Sequence, residues 1–219
     1  GAEIGCQALG IVGSLVLRLA LSPAQMGMWQ ALKLLLANGN YANLGVSKGA
    51  ARELTIAIGR GTPAAAQHGL NLAFTVNTIS SGLFGAALVA AGVWIGCLAG
   101  GITSSVWAMG LIAVGVLAVL QRYVTFQVSL LRARQCFAVT SQLSILEAVL
   151  TLAAACSSAW LWGLPGLYAG TLAVFGAALW FLHTHGAMAL GFAWDRAELR
   201  RLMRIGGPIM LAGVVSTLF

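Results

Sequence analysis

The sequence predicts an all-α, polytopic membrane protein with six transmembrane helices and the start of a seventh. Of its 219 residues, 59% are hydrophobic and only 8% are charged, whereas soluble domains carry about 25% charged residues. The hydrophobic residues gather in runs of membrane length, and a soluble domain of this size has too little interior to bury six of them. We therefore expect a lipid bilayer to surround most of this chain.

Short polar or glycine-rich interruptions set the predicted helix boundaries. Helix I is expected over 4–21 and ends at Ser22-Pro23, where Ser suits the cap and Pro the first turn of the next helix. The following helices are expected over 26–44, 70–98, 106–124 with a polar continuation to Arg134, 137–161, and from the turn at 162–166 to 182. Residues 205–219 would give about 22 Å of helix. Since a bilayer core needs about 30 Å, we expect the molecule to continue past Phe219.

The placement of positive charge predicts the orientation. The net charge is +7, and all twelve Lys and Arg residues except Arg18 and Lys33 fall in loops 45–69, 122–136 and 183–204. They are Lys48, Arg52, Arg60, Arg122, Arg132, Arg134, Arg196, Arg200, Arg201 and Arg204. The alternate loops hold none, so the positive-inside rule makes these three loops cytoplasmic. This use of the charge predicts a membrane partner and no nucleic-acid partner.

The run that begins at Asp195 has the pattern of an amphipathic helix. Leu199, Leu202, Met203 and Gly206 fall on one face, and Arg196, Arg200 and Arg204 on the other. We expect this segment to lie along the membrane surface as a linker over 194–204.

Few local motifs suggest chemistry. Gly92, Gly96 and Gly100, and also Gly166 and Gly170, have GxxxG spacing, which serves close helix packing or a sliding surface. Gly59-Arg60-Gly61 follows no strand and is too short for a phosphate loop. The four cysteines are scattered and are interpreted as packing residues. His183 and His185 lack further ligands nearby, so we predict no metal site, no cofactor and no catalytic residues.

Three charges inside predicted helices are more informative, because each costs roughly 2.5 to 3.5 kcal/mol at the bilayer centre unless it is paired or hydrated. Arg18 lies about one turn from the outer end of helix I, where its side chain can reach water. Lys33 lies about 10 Å into helix II. Glu147 lies near mid-membrane. For Lys33 and Glu147, a functional role and a structural ion pair stay open alternatives.

Three stretches resemble one protein family. Leu21–Trp29, LSPAQMGMW, is similar to its LGPAEYGIW pattern, with Ser in place of the first Gly. Asn43–Arg52, NLGVSKGAAR, is similar to the exit from its second helix, and Leu199–Thr217 to its entry to the seventh. The family is the polysaccharide biosynthesis flippases, including O-antigen flippases, of the multidrug/oligosaccharidyl-lipid/polysaccharide exporter superfamily.

The resemblance implies two six-helix lobes around a central cavity with alternating access. Residues 1–193 would form the first lobe, 194–204 the linker and 205–219 the start of the second lobe. The protein would move an undecaprenyl-pyrophosphate-linked oligosaccharide across the bacterial inner membrane, coupled to a proton or a sodium ion, without enzymatic chemistry. Family members line the cavity with cationic residues, which makes Arg18, Lys33 and Arg52 candidates, and the depth of Glu147 adds it to them.

Two alternatives remain open at this point. A multidrug extrusion antiporter of the same superfamily would need acidic cation-binding residues, and only Glu147 is available within the spans. A membrane-embedded glycan-modifying transferase would need a cluster of His, Asp or Glu near one interface, for which the chain offers His183, His185 and Asp195.

Overall fold

The computed structural model describes residues 2–39, 45–102, 105–186, 188 and 190–218, and all regular structure in these ranges is helical. The helices are α1 (Ala2–Ala20), α2 (Pro23–Gly39), α3 (Val46–Gly59), α4 (Gln67–Leu98), α5 (Val106–Ala133), α6 (Phe137–Leu150), α7 (Cys156–His185) and α8 (Arg196–Leu218), with a 3₁₀ turn at Pro63–Ala66 and a π-helical turn at Thr151–Ala155. The all-α prediction is confirmed. The predicted end of helix II, at 40–44, lies outside the described residues.

Several of these helices are long and apolar enough to cross a bilayer. Within the described residues, the stretches Gln67–Leu98, Val106–Ala133 and Phe137–His185 meet this condition, and Gly5–Ala20 is apolar but shorter. Large apolar side chains such as Leu83, Leu98 and Trp160 are exposed along them. These features indicate a membrane protein, while the count of six spans stays a prediction.

The last of these stretches, Phe137–His185, folds back on itself at Gly163. Gly163 has φ +64°, which a glycine adopts without a steric penalty. The Ser158 hydroxyl donates a hydrogen bond to the Gly166 carbonyl over 2.8 Å, although eight residues of straight helix would separate them by about 12 Å. The stretch is therefore a helical hairpin whose arms, 137–162 and 164–185, each exceed the ~20 residues of a transmembrane span.

Glycines bring α4 and α5 into close antiparallel contact. A Cβ on Gly85 would lie 2.6 Å from the Gly115 carbonyl oxygen, and one on Gly92 would lie 2.9 Å from that of Ala108. The residue numbers rise along α4 as they fall along α5, so the two helices are antiparallel. Gly92 of the GxxxG series thus serves packing, whereas Gly100 has open space around it and φ +79°, as at a helix C-terminus.

The bundle of helices has two ends that differ in their residues. Gly110 lies against Tyr168, and Val124 and Leu131 pack farther along with Ala178 and Leu182, so α5 runs parallel to the second arm of the hairpin. The turns at Gly163 and at 99–101 therefore share one end. Leu21, between α1 and α2, packs with Leu164 there. We call this the turn end. The basic segments 45–66, 132–136 and 183–204 lie at the opposite end, the basic end.

The structure corrects two expectations at the basic end. The predicted loop 45–69 contains α3, whose residues Val46, Ala50, Leu54 and Ala57 are buried with a helical spacing. Arg122 lies inside α5 and is 7% exposed, not in a loop. In the amphipathic run, Leu202 and Gly206 are buried against the backbone of Gly49 and Gly45. The position of this run at the membrane surface stays a prediction.

Side chains of α4 and α5 hold the segment between α7 and α8. Gln127 is fully buried, and its amide accepts from the Met188 N–H at 3.2 Å and donates to the Met188 carbonyl at 3.4 Å. The Gly191 N–H donates to Asn71 Oδ1, and the Ala193 N–H to Thr75 Oγ1. The described residues of this segment, 188 and 190–195, are thus hydrogen-bonded to the ends of two helices, which fixes where α8 begins.

Candidate functional site

The first candidate cavity is a groove beside Arg18 at the turn end. Arg18 is exposed in the last turn of α1. The groove has a volume of about 480 Å³. Its lining residues are Arg18, Leu21, Pro23, Met26, Gly27 and Gln30. We call it the Arg18 groove; its single charged group is cationic.

Lys33 lies on the same face of α2 as the residues that line this groove, but outside the groove. Met26, Gln30 and Lys33 follow one another at helical spacing, so they lie on one face. Lys33 is exposed beside Leu34, which is 63% exposed. In the part of the chain that the structure describes, no acidic side chain forms an ion pair with Lys33 or Arg18. A charge on an apolar, exposed helix of a membrane protein needs water or an anion.

Glu147 lies elsewhere, on α6, and is partly buried one turn after the buried Leu143. Among the described residues no ion pair joins it to Lys33. The structure therefore gives the ion-pair alternative no contact to rest on, and it leaves Glu147 apart from the cationic candidates.

Arg52 belongs to a second cavity, at the basic end between α3 and α8. This cavity has a volume of about 490 Å³. It is lined by Arg52, Glu53, Ile56, Ala57, Arg60, Thr62, Ala66, Arg201 and Ile205. We call it the α3–α8 pocket. It combines three guanidinium groups with an apolar wall.

One arginine of this pocket is engaged by carboxylates. Arg201 donates to Glu53 at 2.5 Å and to Glu198 at 3.2 Å. Burial raises the pKa of Glu53; the charge of Arg201 opposes this shift and that of Glu198 adds to it. The loss of hydration on burial outweighs the attraction to Arg201, so the net shift of the Glu53 pKa is upward.

Backbone geometry places Arg60 and Arg201 at this pocket. The Gly61 N–H donates to Ile58 O and the Thr62 N–H to Ala57 O, which is a Schellman cap with Gly61 at φ +72°. Gly61 of the Gly59-Arg60-Gly61 triplet thus ends α3 and leaves Arg60 at its C-cap. On the other side, a Cβ on Gly49 would lie 2.7 Å from the Leu202 carbonyl oxygen, so α8 approaches α3 closely enough to present Arg201.

Arg122 is a charged residue that sequence reasoning assigned to a loop. Its Nη2 is buried and has no hydrogen-bond partner among the described residues. Three further groups at the α3–α8 pocket, Glu53, Arg60 and Arg201, were also not predicted as site residues. The period of the apolar residues over 46–57 could have revealed α3. That Arg60 and Arg201 line the same cavity depends on the tertiary fold.

The chain matches no protein-family model, no curated protein sequence and no solved structure.

Proposed function

We propose that this chain forms one lobe of a flippase that moves an undecaprenyl-pyrophosphate-linked oligosaccharide across the bacterial cytoplasmic membrane for the synthesis of a surface polysaccharide. Lys33 carries this proposal. It is an exposed ammonium group among exposed apolar residues of α2, with no ion pair in the described part of the chain. Such a group fits the wall of a water-filled cavity that receives an anion.

The surface around Lys33 fits a cavity between two lobes. Leu15, Leu19 and Leu34 are exposed on α1 and α2. In a two-lobe transporter, part of this surface would face the second lobe and part the lipid. Arg18 and Lys33 would then attract the pyrophosphate by charge, and closing one side while opening the other would move it without covalent chemistry.

The structure gives the transferase alternative less support. Asp195 caps α8 by accepting from the N–H groups of Ala197 and Glu198, and it lies 3.7 Å from His68. His185 stacks on Phe181 with ring centroids 4.2 Å apart. Both residues thus make local structural contacts. The antiporter alternative depends on Glu147, the one acidic candidate inside a predicted span.

Variants of Lys33 in cells that depend on this gene for surface glycan test the proposal. If the positive charge binds pyrophosphate, Lys33→Arg keeps most of the glycan and Lys33→Ala loses most of it, at roughly tenfold or more in rate for a lost charge-assisted contact. Lys48→Ala is the matched control, because Lys48 is an exposed lysine outside both cavities. Immunoblots of the membrane fraction establish that each variant is present.

The double variant Lys33→Met with Glu147→Gln separates a ligand role from an ion pair. A structural pair would tolerate this double change better than either single neutral change. We expect the double variant to lose the glycan as Lys33→Ala does. Normal surface glycan in cells that carry only the double variant would remove Lys33 from the cavity and, with it, the main support for the proposal.

A further inference from the structure

The α3–α8 pocket has an excess of positive charge that the protein itself does not neutralise. Glu53 and Glu198 both bind Arg201. Arg52 and Arg60 line the same cavity, and neither has an ion-pair partner among the described residues. Two guanidinium groups that share a cavity repel each other, so an anion between them would relieve this repulsion.

The guanidinium groups suit a phosphate. Arginine donates through a planar fork that matches two oxygens of one phosphate group, and such charge-assisted hydrogen bonds are about twice as strong as neutral ones. A cavity of about 490 Å³ is larger than a phosphate alone requires. Ile56 and Ile205 supply an apolar wall beside the arginines, which suits a phosphate attached to a less polar group.

The position of the pocket along the chain indicates the depth of a lipid headgroup. Thr62 and Ala66 line the pocket, and α4 begins at Gln67 directly after them. Because α4 is long and apolar enough to span the bilayer, and its 32 residues give about 48 Å of helix against a hydrocarbon core of about 30 Å, its first turn extends beyond the core to the level of the headgroups. Ile56 is 43% exposed and Ile58 39% exposed on the adjoining helix. A lipid can therefore place its phosphate at the arginines and its glycerol and acyl carbons against the isoleucines.

We propose that the α3–α8 pocket binds the phosphate headgroup of an anionic phospholipid from the surrounding bilayer, with Arg52 and Arg60 as the principal ligands. The argument needs only that the chain lies in a membrane. It does not depend on the transport of a glycan. Bound there, the lipid would bridge α3 to the first turns of α8.

Lipid binding by the purified full-length protein tests this site. The protein in detergent micelles is titrated with phosphatidylglycerol or with phosphatidylcholine, and the bound lipid is counted by native mass spectrometry. We expect phosphatidylglycerol to bind more tightly than phosphatidylcholine, because the choline group neutralises the phosphate. Arg60→Gln should weaken phosphatidylglycerol binding about tenfold, and Arg60→Lys should keep most of it.

Arg134→Gln is the matched control. Arg134 and Arg60 are both exposed arginines at a helix C-cap, each followed by a residue with positive φ, but Arg134 lies outside the pocket. An equal loss of binding in the two variants would overturn the proposal, since it would reflect only the net charge. Arg52→Gln provides a second disruption of the pocket if Arg60→Gln fails to fold.

Two further ligands distinguish the source of the phosphate. Inorganic phosphate that binds as tightly as phosphatidylglycerol would overturn the assignment to a lipid. Undecaprenyl phosphate that binds more tightly, with the same dependence on Arg60, would overturn the assignment to a bilayer phospholipid. A failure of the flippase proposal would change neither the phosphatidylglycerol affinity nor its loss in Arg60→Gln.

Discussion

Gln135 holds a backbone conformation that its side chain disfavours. It has φ +60°, and it is the only residue other than glycine with positive φ in the described part of the chain. The Gln135 N–H donates to Arg132 O and the Cys136 N–H to Leu131 O, so Gln135 takes the position in the α5 cap that Gly61 takes in the α3 cap. The two caps share one geometry, but the position with positive φ is occupied by glycine in the α3 cap and by glutamine in the α5 cap.

This comparison predicts that Gln135→Gly stabilises the protein. The left-handed conformation costs a side chain roughly 1–2 kcal/mol, and part of that gain is offset because glycine is more flexible when unfolded. We expect a net gain of up to about 1 kcal/mol, seen as a higher apparent unfolding midpoint in detergent. Gly61→Gln, where an added Cβ meets open space, should lower the midpoint by a similar amount. A fall for Gln135→Gly would contradict the strain argument.

At the scale of residues, the sequence singled out some candidates and overlooked others. Arg18, Lys33 and Glu147 stay predictions, and they could be singled out because a charge within an apolar run is visible in the sequence. Arg122 was placed in the cytoplasmic loop 122–136 by its charge, although the apolar run predicted a helix over 106–124 that includes it. The structure buries it within α5.

At the scale of elements, α8 and α3 meet through glycine. A Cβ on Gly45 would lie 2.5 Å from the Gly206 carbonyl oxygen, and one on Gly49 would lie 2.7 Å from that of Leu202. Gly207, the next residue, has open space around its Cα. Gly206 is thus in close contact with a neighbouring backbone, whereas Gly207 is not. A substitution at Gly207 is therefore a control for the same substitution at Gly206.

We expect Gly206→Ala to destabilise the protein and Gly207→Ala not to. The methyl group at 206 would overlap the backbone of Gly45 and force the two helices apart, at a cost of about 1–3 kcal/mol. The methyl group at 207 meets no neighbour, and alanine favours helix by up to about 1 kcal/mol over glycine. Apparent unfolding midpoints of the two purified variants measure the difference. Equal midpoints would show that the close approach of α3 and α8 contributes nothing to stability.

The long apolar elements were predicted, whereas α3 was overlooked. Hydropathy placed the helix at 67–98 within a few residues of its observed bounds, because membrane-length apolar runs have few alternative structures. The expected apolar span 106–124 with its polar helical continuation to Arg134 corresponds to the helix at 106–133. In α3, the charged residues Lys48, Arg52 and Glu53 hid the apolar period of Val46, Ala50 and Leu54. This face is buried by residues of α4, α5 and α8. Local sequence could show the helical period, but it could not reveal these partners.

At the scale of the whole molecule, the distribution of charge agrees with the two ends of the structure. The basic segments 45–66, 132–136 and 183–204 lie at one end, and the turns at 99–101 and Gly163 lie at the other. The positive-inside rule predicts that the basic end faces the cytoplasm.

Cysteine labelling in intact cells tests this orientation. In a background without the native cysteines, Trp162→Cys places a thiol at the turn end and Thr62→Cys places one at the basic end, and both positions are exposed. We expect a membrane-impermeant maleimide to label residue 162 from outside and residue 62 only after permeabilisation. These positions avoid the glycines at 61 and 163, whose positive φ disfavours a side chain. Labelling of both positions from the same side would refute the placement of the turn end and the basic end on opposite sides of the membrane.

The hydrogen bonds that hold segment 188–195 also determine where α8 can bend. Because Gln127, Asn71 and Thr75 fix the backbone ahead of α8, and because Gly206 is set against Gly45, the first turns of α8 move with the rest of the bundle. Pro208 lies inside the same helix and has no N–H to donate to the carbonyl of Arg204. A force applied to the C-terminal half of α8 would therefore bend the helix at Pro208. This residue is a hinge that lies just beyond the turns held by the bundle.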